Sequence, residues 1–198
     1  PGAGAVAMGS QCGQVSQSCS AVAIGNLAGY TNQGAMSIAI GDSAGQYNQS
    51  GGIAIGDNAG RTGQQASAVA LGSSAGNVDQ SANAIAIGNN AGNTTQGISA
   101  VAIGVDAGTS VQSDYAVAIG ASSGQFAQGT GSIAMGYQAG QETQGIHAVA
   151  IGVNSGNQSQ GGAGIAIGHD AGYFDQGDES IAIGHEAGQT SQGDGSMA

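Results

Sequence analysis

Ser37-Ile38-Ala39-Ile40-Gly41-Asp42-Ser43-Ala44-Gly45-Gln46-Tyr47-Asn48-Gln49 carries the pattern that decides the fold. Ile38, Ala39 and Ile40 alternate with period two, which puts both isoleucines on one side of an extended chain and Ser37, Ala39 and Gly41 on the other. Such a run is too short for a capped helix and reads as a short strand. Gly41 and Gly45 follow, and each predicts a bend, because glycine takes backbone angles that other residues avoid. Tyr47-Asn48-Gln49 then reads as a second, weaker strand, as does Thr94-Thr95-Gln96 further on.

The pattern recurs along the whole chain. Its anchor glycine falls at Gly9, Gly25, Gly41, Gly56, Gly72, Gly88, Gly104, Gly120, Gly136, Gly152, Gly168 and Gly184, and every step is 16 residues except the 15 from Gly41 to Gly56. Two places before the anchor stands Ala in every copy: Ala7, Ala23, Ala39, Ala54, Ala70, Ala86, Ala102, Ala118, Ala134, Ala150, Ala166 and Ala182. Eight places after it stands Gln, again in every copy: Gln17, Gln33, Gln49, Gln64, Gln80, Gln96, Gln112, Gln128, Gln144, Gln160, Gln176 and Gln192. The short copy lacks one residue between Gln49 and Ile53, which marks that part of the repeat as a loop.

A three-residue strand buries nothing alone, but identical coils stacked about 4.8 Å apart bury a continuous column. The expected fold is therefore all-β, a parallel β-solenoid of 16-residue coils. Residues 1–198 read as one array of about twelve coils, a rod of roughly 55 Å. Hydrophobicity assigns the Val and Ile positions to the interior and the Ala positions to an outward face, flat and small enough for close packing against another chain. The glutamines are expected to form a structural ladder, amide to amide along the axis.

Composition narrows the function. Gly supplies 40 residues and the aromatics 4%, too little bulk for a globular core, whereas 40% hydrophobic with 7% charged residues is the reverse of a disordered composition. One proline and no three-residue period exclude collagen. A net charge of −11, with Arg61 the only base, argues against nucleic acid and anionic lipid as partners, and no apolar run is long enough for membrane insertion. Neither a catalytic Ser, His and Asp constellation nor a phosphate-cradling loop occurs, so the chain reads as non-enzymatic and without a cofactor.

The Ser-Ile-Ala-Ile-Gly and Ala-Val-Ala-Ile-Gly blocks, followed by x-x-A, resemble the head repeats of YadA-like trimeric autotransporter adhesins. The longer A-I-G-x-x-A-G-x-x-x-Q form is similar to repeat arrays in fibre or adhesin-like proteins of phages and large algal viruses. The resemblance runs from about Ala5 to Ala198. It implies a left-handed β-roll, assembly as a homotrimer, and a place on an extracellular, cell or virion surface where a host receptor is met. Those adhesin repeats are shorter and lack the invariant Gln. The chain opens at Pro1 within one copy and stops at Ala198, the Ala position of a thirteenth, so a segment of a longer protein or an end-to-end filament is expected.

A few positions invite chemistry. His169 and His185 occupy the same place in successive copies, followed by Asp170 and Glu186, and are candidates for metal ligation against the simpler reading of exposed polar residues. Cys12 and Cys19 are the only cysteines, and a disulfide between them would fasten the first coil. Leu27, Tyr30, Tyr47, Phe126, Tyr137, Tyr173 and Phe174 vary freely outside the core pattern and are candidate contact residues. Three functions fit: a structural fibre or shaft with an adhesive role, an ice-binding solenoid, or a polymerising filament or matrix protein. Ice binding would need a rank of threonines, but Thr31, Thr62, Thr94 and Thr190 are interrupted by residues such as Tyr47, Val78 and Phe126.

Overall fold

The structure is a computed structural model that describes residues 1–198. It contains strands and turns and no helix, and comprises two compact units, Pro1–Ser99 and Ala100–Ala198. Each unit stacks six copies of the repeat, giving a β-solenoid of about twelve coils in all.

In the first unit the Val/Ile-Ala-Ile tripeptides form six strands, among them Val22–Ile24, Ile38–Ile40 and Ile53–Ile55, and each pairs in parallel with the next. Register is strict: Ile38 lies opposite Ile53, Ala39 opposite Ala54 and Ile40 opposite Ile55. The short copy does not disturb this, because its missing residue is taken from the turn at 50–52, outside the ladder. The second unit repeats the arrangement with six strands, from Val101–Ile103 to Ile181–Ile183. Parallel pairing of consecutive coils sends backbone hydrogen bonds along the stack, as from Gly56 N to Ile40 O at 2.8 Å.

The second side of each coil carries the residues that lead to the invariant Gln. In the first unit Val15, Thr31, Tyr47, Thr62 and Val78 are joined by single bridges, and Val78–Gln80 pairs with Thr94–Gln96. In the second unit six strands, from Val111–Gln112 to Thr190–Gln192, complete this wall.

Three of those strands differ from the rest. The residue before the Gln is left-handed at Asn48 (φ 57°), Asp79 (φ 52°), Ser159 (φ 54°) and Asp175 (φ 48°), but not at Val111, Ala127 or Thr143. Asn, Asp and Ser tolerate that conformation, whereas a β-branched side chain crowds the backbone there. At Val111 and Ala127 the peptide turns over: Val111 N donates forward to Phe126 O at 3.0 Å, whereas Asp79 N donates backward to Thr62 O at 2.9 Å. Thr95, at φ 46°, takes the left-handed form despite its branched side chain.

The interior reverses the polarity expected from hydrophobicity. Every fully buried hydrophobic residue is an alanine, and the Val and Ile side chains face outward. Ala23, Ala39, Ala54, Ala70, Ala86, Ala102, Ala118, Ala134, Ala150, Ala166 and Ala182 are wholly buried, so they form no outward packing face; Ala7, in the first coil, is exposed. The reason is the width of the coil. A Cβ placed on Gly45 would lie 3.2 Å from the Cβ of Ala39 across the interior, a gap that admits a methyl group and excludes an isoleucine.

Close approach along the axis sets a second limit. Gly120 has φ 125°, and a Cβ there would meet the carbonyl oxygen of Gly136 in the next coil at 2.6 Å. Backbone angle and contact both require glycine at this corner.

Candidate functional surface and the amide ladder

Once alanines line one wall, a polar side chain occupies the rest of the interior. Gln33, Gln49, Gln64, Gln80 and Gln96 are buried to within 1% exposure, which demands that each amide be satisfied inside. Gln49 Nε2 donates to Ile38 O at 2.9 Å, to Gly52 O at 3.0 Å and to Gln64 Oε1 at 2.9 Å. The first two bonds tie the opposite walls of one coil together. The third joins one coil to the next.

The expected ladder is present. Amide-to-amide bonds run from Gln33 through Gln49, Gln64 and Gln80 to Gln96 in the first unit. In the second unit they run from Gln112 through Gln128 and Gln144 to Gln160. They lapse after Gln17, Gln160 and Gln176, whose Nε2 groups donate only to backbone carbonyls such as Val6 O, Val149 O and Ile165 O. In consequence the Oε1 atoms of Gln33, Gln176 and Gln192 are buried without a partner.

The outward side of the main sheet follows from the same alternation. In each unit, six strands present two parallel columns of Val, Ile, Leu or Met, and no polar residue interrupts either. Neighbours one coil apart partly shield each other, so Ile24, Ile38 and Ile40 are half-buried, while Ile53, Leu71 and Ile183 are exposed. None of the twelve carboxylates lies on these columns. Asp42 and Asp57 stand exposed one residue past the anchor glycine, at the margin. Hydrophobicity alone hides this surface, because it places the large aliphatics in the core. One sequence signal marks it: the inner position is Ala in all twelve copies, whereas its neighbours vary among Val, Ile, Leu and Met. A column of fixed small size is the sterically confined one.

The remaining candidates are dispersed. His169 and His185 stack with ring centroids 5.2 Å apart, each beside its own carboxylate. Cys12 and Cys19, the possible disulfide partners, are free thiols in the structure. Cys12 takes the inner Ala position and directs Sγ to Gly9 O at 3.2 Å, whereas Cys19 is exposed on a turn. Tyr30 meets Tyr47 edge-on at 6.3 Å, and Tyr173 meets Phe174 at 4.4 Å. Phe126 and Tyr137 are exposed, while Leu27 is half-buried at a turn. Of the threonines, Thr31 and Thr62 flank Tyr47 in one column, so no unbroken rank forms there. No cavity opens in the surface. Compared with protein-family models and with curated proteins, the chain finds no match in either.

Proposed function

We propose that this chain is a structural segment of a fibre or shaft on an extracellular or virion appendage, assembled from copies of itself through the Val/Ile face. The observation that carries this reading is the uninterrupted outward aliphatic surface of each unit. Soluble monomers rarely leave large contiguous apolar patches uncovered, and such patches mark contact surfaces. Charge supports the same choice of partner. A chain of net charge −11 repels its own copies, but two apolar faces meet without bringing carboxylates together.

A closed homotrimer around these faces is the assembly that the adhesin-like repeats favour. It leaves the opposite wall, with Tyr47, Phe126 and Phe174, free for a host receptor. The amide ladder is the internal frame of the segment and has no ligand of its own.

The test is the mass of the intact chain in solution by native mass spectrometry or light scattering, alongside Ile40→Glu and Ile119→Glu. The wild type is expected at three chain masses. Each variant is expected to be monomeric with an unchanged far-ultraviolet dichroism spectrum. A monomeric wild type, or variants that assemble as well as the wild type, overturns the proposal.

A further inference from the structure

His169 and His185 lie one residue past Gly168 and Gly184, in the coils that carry Gln176 and Gln192. Their rings are stacked at 5.2 Å with an interplanar angle of 15°, and both side chains are more than half exposed, at 51% and 67%. Exposure alone would make them ordinary surface residues. Two further observations separate them from that.

The first is a relay that holds one ring. Asn154 Nδ2 donates to Asp170 Oδ1 at 2.9 Å, and the other oxygen of Asp170 lies 3.1 Å from His169 Nδ1. The Asp170 side chain is only 17% exposed, so the carboxylate is fixed from behind. With Nδ1 donating to this carboxylate, the lone pair of His169 lies on Nε2. A histidine oriented by a hydrogen-bonded carboxylate is the usual support of an imidazole ligand. The second is the state of the ladder beneath. No amide-to-amide bond joins these two coils, and Gln176 Oε1 and Gln192 Oε1 are buried without partners. Here the stack lacks the internal tie that its middle coils possess.

We propose that His169 and His185 bind one borderline divalent transition-metal ion, of the nickel(II), copper(II) or zinc(II) class, which joins their two coils from outside. Both rings are on the surface and rotate about χ1 and χ2 to bring one nitrogen each to a metal–nitrogen distance of about 2.0–2.1 Å. Imidazole suits these metals, whereas calcium and magnesium require oxygen ligands. No cluster of three or more metal-ligating side chains is present, so water completes the coordination shell. Glu186 Oε1, 3.9 Å from His185 Nε2, adds negative charge beside the ion. Because an ion bound to both rings is bound only while the two coils remain stacked, it stabilises the folded state.

Nickel(II) is the probe, titrated calorimetrically into tag-free, chelator-stripped chain carrying Cys12→Ser and Cys19→Ser. Serine already fills the position of Cys12 in other copies, at Ser123 and Ser155, so this background retains the fold. One ion per chain is expected. His169→Ala and His185→Ala should each weaken binding about tenfold or more, and His147→Ala, a solitary exposed histidine, should leave it unchanged. Saturating nickel should raise the thermal midpoint of the parent and not of His185→Ala, with far-ultraviolet dichroism confirming that each variant is folded. Absence of binding, or equal binding by the parent and both paired-histidine variants, overturns the site.

Discussion

Gly45 and Gln49 share one space: a Cβ on Gly45 would lie 2.6 Å from Gln49 Oε1 and 3.2 Å from the Ala39 Cβ. The invariant Gln is therefore packed against the face of a glycine, and the two positions recur together because neither tolerates the other's enlargement. Gly45 also has φ 50°, where any side chain is disfavoured. Gly45→Ala combines a left-handed alanine with a clash in an interior already filled. Its expected cost is about 2–5 kcal/mol, from ~1–2 for the backbone and ~1–3 for overpacking. Chemical denaturation of both proteins measures it, and a loss below about 1 kcal/mol would mean that the amide moves aside freely.

Gln49 supplies a second test, because the two protons of its amide are shared among three acceptors, one of which is the amide of the next coil. Gln49→Leu keeps similar bulk but strands Gln64 Oε1 and removes the side-chain bonds to Ile38 O and Gly52 O, the latter still accepting from Ile38 N at 3.0 Å, at an expected cost of about 1–3 kcal/mol. Gln49→Glu adds a buried charge. Burial raises the folded-state pKa of such a carboxyl above its unfolded value. The destabilisation is then full at neutral pH and diminishes as pH falls through the folded-state value. Melting curves at pH 7 and pH 4.5 should show Gln49→Glu closer to wild type at the lower pH.

Much of this fold is legible in Ser37–Gln49. Alternation identifies which residues share a side, and in-register stacking of identical coils makes a Gln column inevitable. The short copy shows where the turn lies, and the bend at 50–52 is its place in the structure. What misleads is the assumption that the larger hydrophobic side is the inner one. That assumption holds where a core is wide enough for Ile. Here the walls approach until only Ala and an amide fit, and the constant size of Ala39 and its equivalents is the mark of that confinement. The cysteines show a different limit. A separation of seven residues fits a disulfide, yet Cys12 turns inward and Cys19 lies on an exposed turn.

The reversed polarity predicts opposite outcomes at adjacent residues. Ala118 is wholly buried, and Ile119 is half-buried on the outward face. Ala118→Val adds two methyl groups where no space exists, and should destabilise the fold by about 1–3 kcal/mol. Ile119→Lys places a flexible charged chain in solvent and should change the stability of the isolated chain by about 1 kcal/mol or less. Urea denaturation at a concentration low enough to keep the chain dissociated makes the comparison. A larger loss at Ile119 than at Ala118 would restore the inward-facing isoleucine.

The two backbone forms before the Gln give the last prediction. Ser159 is left-handed at φ 54°, while Val111 at the equivalent position is extended and donates forward along the stack. The first form crowds the substituents of a branched Cβ, and Val111 and Thr143 avoid it, although Thr95 adopts it at φ 46°. Ser159→Val therefore either retains the left-handed angle at about 1–2 kcal/mol or turns its peptide over to the form of Val111. Val111→Ala relieves no left-handed strain, and as an exposed position it should stay within about 0.5 kcal/mol of wild type. Amide hydrogen exchange distinguishes the outcomes for Ser159→Val. A turned peptide redirects the N–H of residue 159 from one neighbouring coil to the other and alters protection at that residue, whereas retained geometry lowers overall stability with the pattern unchanged.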